Sequence, residues 1–83
     1  MKKIDLDGKL LQRTEEGHEY IQEAFSFPDY YGKNMDAFYD LLTEIAGDTE
    51  IVISNALEMD PMMKKVLLNA ELENHYLKIC LTK

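Results

Sequence analysis

The sequence predicts a small α/β fold, a parallel sheet with helices packed on it, and three observations carry that expectation. Two short apolar runs, Glu50–Ser54 and Tyr76–Leu81, flank a helical pattern, and an alternating run opens the chain. The segments between them are amphipathic at helical spacing, so the order reads β-α-α-β-α-β, which implies parallel strands joined by helical crossovers. The 83 residues, 46 % of them apolar, are enough for one hydrophobic core in one domain spanning residues 1–83.

Each element has a local cause. Residues 2–7 alternate polar and apolar and end at Gly8, the pattern of a short strand closed by a turn. Thr14 is a suitable N-cap, and Glu15 and Glu16 suit the positive end of a helix over about 15–25, whose stripe is Tyr20, Ile21, Ala24 and Phe25. Gly17 weakens its first turn by roughly 1 kcal/mol relative to Ala. Pro28 ends it, because the residue before a proline avoids the α region. Asn34 caps a second helix expected over 35–46, with Gly47 as its stop. Ile51, Val52 and Ile53 are apolar in succession, which predicts a strand buried on both faces. Residues 55–60 read as a turn or one helical turn. Asp60 and Pro61 open a third helix over 61–73, and residues 76–81 form the closing strand.

Charge narrows the function. Sixteen acids against nine Lys and Arg give a net charge of −7. That balance argues against nucleic acid or an anionic membrane as partner and favours a basic protein. The single cysteine, Cys80, permits no intrachain disulfide, and Asp5 interrupts any signal-like apolar run, so the expected setting is the cytoplasm. No stretch approaches the roughly 20 apolar residues of a membrane span. Neither a glycine-rich phosphate loop, a nucleophile motif nor a Cys-x-x-Cys pair occurs, so no enzyme and no cofactor are expected. Asp36 and Asp40 could chelate a divalent cation, but too few further ligands lie near them, so no metal is assigned. His18 and His75 are expected at the surface, Cys80 as a buried inert thiol, and Met62–Met63 as core.

The second helix concentrates the charge. With Met35 at zero and about 100° per residue, Phe38, Leu41, Leu42 and Ile45 make the buried stripe, while Asp36, Asp40 and Glu44 fall at roughly 100°, 140° and 180°. Tyr39 lies on the border. Asp36–Asp40 and Asp40–Glu44 are like-charge i,i+4 pairs, each costing about 0.2–0.5 kcal/mol. No Lys or Arg occurs between 34 and 63 to relieve them, and residues 29–50 carry a local balance of −5. Asp36 alone is accounted for by the helix dipole. The whole face reads either as solvated surface or as a site for a cationic partner. In the preceding loop, Tyr30 is expected at the surface and Tyr31 against the core.

The run Pro28-Asp29-Tyr30-Tyr31-Gly32-Lys33-Asn34-Met35-Asp36-Ala37-Phe38-Tyr39-Asp40-Leu41-Leu42 resembles the signature of the barstar family, intracellular inhibitors of the secreted ribonuclease barnase. Close matching covers about 15 residues; the length, element order and closing apolar strand are similar too. The resemblance implies a barstar-like, three-stranded parallel sheet with about three to four helices. It also implies a non-catalytic immunity protein that plugs the active site of a basic extracellular-type ribonuclease, 1:1, and is a monomer when free.

By the same resemblance, Asp40 matches the acid that enters the enzyme's phosphate pocket, and Asp36 the acid that engages a further basic residue. Tyr30 matches the ring that packs on the catalytic histidine, and Asn34 the edge of that surface. Tyr39 and Glu44 complete the expected partner-binding set. Three departures stand out. Tyr39 replaces the family's usual tryptophan, Ile45 replaces an aromatic, and the glutamate contact on the last helix is nearest to Asn69, with Glu71 and Glu73 close by. The alternative reading is an acidic interaction module for a basic partner that is not a nuclease.

Overall fold

The computed structural model describes residues 1–83. In chain order they form strand β1 (Lys2–Asp7), helix α1 (Glu15–Phe25), helix α2 (Met35–Thr43), strand β2 (Thr49–Ser54), helix α3 (Pro61–Glu73) and strand β3 (Leu77–Leu81), with 3-10 turns at Gly8–Leu10 and Ala56–Glu58. All three helices start on the residues whose side chains favour it. Thr14 Oγ1 accepts from Gly17 N (3.0 Å), Asn34 Oδ1 from Ala37 N (2.8 Å), and Asp60 Oδ2 from Met62 N (3.0 Å) and Met63 N (3.1 Å). Helix α1 ends at Ser26, which adopts the left-handed conformation (φ 56°) just before Phe27-Pro28.

The sheet order is β1-β2-β3 and both pairs are parallel. Because both crossovers advance in the same direction, the right-handed rule places every helix on the same face. Burial agrees with that geometry. Ile4, Leu6, Ile51, Ile53 and Leu77 are buried, whereas Lys3, Asp5 and Lys78 on the other face are exposed. The expectation that β2 is covered on both faces is therefore corrected: Ile51 and Ile53 are fully buried, but Val52 and Glu50 between them are only half-buried. Three apolar residues in succession do not reveal whether anything covers the far face, and here nothing does. Under the sheet, Leu11, Ile21, Phe38, Leu42, Met63 and Leu67 fill the core.

Helix α2 stops at Thr43, three residues short of the expected end. Gly47 plays no part, and no glycine in the chain has positive φ. The stop comes from Asn74, buried at the end of α3. Its Nδ2 donates to Leu42 O (3.0 Å) and Ile45 O (2.9 Å), with Thr43 O further off at 3.4 Å, and its Oδ1 accepts from Tyr76 N (3.0 Å). A side chain about thirty positions away in sequence thus supplies donors at the helix end, where Leu42 O otherwise has backbone donors only (Ile45 N at 3.4 Å) and no backbone bond reaches Ile45 O.

Candidate functional site

The loop before α2 is pinned from below. Tyr31 is buried between His18 and Phe27, with ring centroids at 5.8 and 5.3 Å, and its hydroxyl shares a 2.6 Å hydrogen bond with His18 Nδ1. Burial pushes the Tyr31 phenol up to about 12 and lowers the His18 imidazole below its usual 6.5. His18 is therefore a core residue and not the surface histidine expected. Its spacing in α1 puts it on the same side as Ile21 and Phe25, a signal that its polarity obscured. The backbone then turns outward: Tyr30 is 78 % exposed, and Lys33 takes the left-handed conformation (φ 54°) that delivers Asn34 to its capping position. Asn34 is exposed, but its amide is committed to Ala37 N and to Gly32 O (3.3 Å).

The carboxylates of Asp36 and Asp40 stand exposed on α2 without any hydrogen-bonding or ionic partner within the chain. The two ion pairs of the molecule, Arg13–Asp60 (3.0 Å) and Lys33–Glu19 (3.5 Å), lie elsewhere. Beside the acids runs an open groove of about 700 Å³ between α2 and α3. Met35, Asp36, Ala37, Tyr39 and Asp40 line one side, and Met62, Val66 and Asn69 the other. The groove joins Asp36, Tyr39, Asp40 and Asn69, four residues singled out above. Met62, expected in the core with Met63, is 42 % exposed and forms part of this wall; of the two only Met63 is buried. The spacing Met62, Val66, Asn69 marks one helical stripe, so the signal was present in the sequence.

Glu44 is not part of this arrangement. The early end of α2 makes it the C-terminal flanking residue, and it borders a separate hollow with Lys2, Phe25 and Asp48. Glu71 is also occupied elsewhere, accepting from Ile79 N in β3 at 2.7 Å. Glu73 is exposed one turn beyond Asn69 on α3.

Chemically, the surface offers two unneutralised carboxylates, an apolar trough and an exposed phenol. That set suits cationic side chains, which gain charge-assisted hydrogen bonds from carboxylates and can lay their stems along apolar walls.

The sequence model of a family described as "Barstar (barnase inhibitor)" matches residues 1–70. A protein of Bacillus subtilis (strain 168) named "Putative ribonuclease inhibitor YrdF" is 44 % identical over 43 residues, which is 52 % of this chain and 47 % of the relative. The aligned stretch spans about half the length of that relative.

Proposed function

The chain belongs to the barstar family, and from that premise we propose that it is a non-catalytic inhibitor that covers the active site of a basic, barnase-like ribonuclease with α2 and the loop before it. The observation that carries the reading is the pair Asp36 and Asp40, exposed on one helix with no cation of their own within the chain. An active site that cleaves RNA must bind phosphate, and a carboxylate can occupy such a site by accepting hydrogen bonds from guanidinium and imidazolium donors. Asp40 takes that role, Asp36 engages a second basic residue, and Tyr30 supplies a rigid ring at the rim. Tyr39 lines the groove between them, and Asn34 holds the helix start in register. The net charge of −7 speeds encounter with a basic enzyme. The complex is 1:1, the free inhibitor is a monomer, and its place is the cytoplasm of the cell that makes the nuclease.

The test is inhibition of purified barnase, and of basic ribonucleases secreted by the producing cell, as salt is raised. Inhibition is expected to weaken with ionic strength, and Asp40→Ala to weaken it about tenfold or more, the loss of one or more hydrogen bonds to charged groups. Inhibition that is indifferent to both salt and Asp40→Ala would refute the mechanism. Capture of a basic protein without any effect on ribonuclease activity would establish the acidic interaction module instead.

A further inference from the structure

A three-stranded open sheet has two free edges, and here a helix side chain is laid on each. On β1, the backbone N–H of Asp7 donates to the Tyr20 hydroxyl of α1 at 2.9 Å. On β3, the N–H of Ile79 donates to Glu71 Oε2 of α3 at 2.7 Å. In a parallel ladder alternate residues turn their N–H and C=O to the neighbouring strand. Thr49 N donating to Tyr76 O and Thr82 N donating to Ile53 O fix that phase, so Lys78 and Cys80 face β2 while Leu77, Ile79 and Leu81 face outward. Of the outward N–H groups, Leu77 donates to Asn74 O (3.1 Å) and Ile79 to Glu71, which leaves Leu81 free.

The two edges differ in their defences. The outward residues of β1 are Lys3, Asp5 and Asp7, charges that discourage strand addition without further help. The outward residues of β3 are Leu77, Ile79 and Leu81, with no charge among them. The β3 edge is also self-complementary. An antiparallel pairing centred on Ile79 sets Ile79 against itself, Leu77 against Leu81, and Lys78 against Cys80, with no like charges opposed. Its central residue must exchange both backbone bonds with its mate, and Glu71 holds the donor of that residue.

We propose that the β3 edge is a strand-pairing surface for a second copy of this chain, and that the Glu71 carboxylate on Ile79 N–H keeps it closed. Tyr20 has no such task to perform, because β1 is already guarded by its charges.

The experiment compares Glu71→Gln, Glu71→Ala and the double variant Glu71→Ala/Leu81→Pro by sedimentation across a wide concentration range. Glutamine retains a carbonyl for Ile79 N–H and stays monomeric. Alanine frees the edge, and the apparent mass doubles as concentration rises. Proline at Leu81 removes an outward N–H without touching the ladder to β2, and returns the double variant to a monomer. Hydrogen exchange on the wild-type chain supplies a measurement independent of any variant's folding: the Ile79 amide is protected and the Leu81 amide exchanges freely. A Glu71→Ala chain that folds and stays monomeric, a dimer that the proline does not dissolve, or an unprotected Ile79 amide in the wild type would each overturn the proposal.

Discussion

Replacing Asn74 by alanine removes two short bonds to the end of α2, at 2.9 and 3.0 Å, and the acceptor for Tyr76 N at 3.0 Å. Each such bond contributes about 1 kcal/mol net, and a buried carbonyl left without a donor costs about 1–3 kcal/mol. The site is buried, so water does not simply replace the amide. The expected loss is roughly 3 kcal/mol, a large share of the 5–15 kcal/mol typical of a small protein. In a chain of this size it lowers the thermal midpoint by about 12–24 °C. Asn74→Asp discriminates the cause: it keeps the acceptor for Tyr76 N but turns a negative oxygen toward Leu42 O and Ile45 O, so it destabilises at least as much as alanine. Urea titration of the three chains, followed by circular dichroism, measures the differences. A loss below about 1 kcal/mol for Asn74→Ala, or an aspartate variant close to wild type, would refute the argument that this amide terminates α2.

The other predictions concern the site and its supports. Asp36→Ala and Asp40→Ala leave the unfolding free energy within about 0.5 kcal/mol of wild type, because they remove exposed, mutually repelling charges; chemical denaturation beside the inhibition assay separates binding from folding. Gly17→Ala gains about 1 kcal/mol of helix propensity in principle, but its Cβ would lie 2.0 Å from Gln12 O, so thermal unfolding is expected to show net destabilisation. Tyr31→Phe leaves His18 without its partner and costs about 1–3 kcal/mol, read from the same melts. The His18 imidazole, held by burial below its unfolded value of 6.5, contributes stability that is complete above 6.5 and is lost as pH falls from there through the folded value. Unfolding measured against pH should show that decline, and His18→Gln should remove it.

What the sequence made legible was whatever depends on near neighbours. The caps Thr14, Asn34 and Asp60, the end of α1 before Pro28, and the bounds of α3 all follow from residues within a turn of each other, and all stand where expected. The split between exposed Tyr30 and buried Tyr31 was legible for the same reason. What failed depended on partners far along the chain. His18 reads as polar surface until Tyr31 arrives to satisfy it, and α2 reads as reaching residue 46 until Asn74 claims its carbonyls. Glu44, the residue that caps the shortened helix, borders a different hollow from Asp36 and Asp40, although helical spacing alone aligns the three. Gly17 looked like a simple weakness of α1, whereas the backbone at Gln12 leaves no room for a side chain there. Val52 showed the limit from the other direction, since its surroundings depend on the absence of a layer and no local pattern encodes that.

The bare face of the sheet places the chain's only thiol, half-buried Cys80, on the side away from the helices. Burial pushes this thiol above its usual range, and its hydrogen bond to Glu50 Oε2 at 3.5 Å adds to the shift, so little thiolate exists at neutral pH. The result is a slow but unique attachment point. A fluorophore coupled to it under alkaline conditions, or a linker fixing the chain to a sensor surface through it, leaves α2 and Tyr30 facing outward. The back of the molecule therefore offers a handle by which its front can be measured.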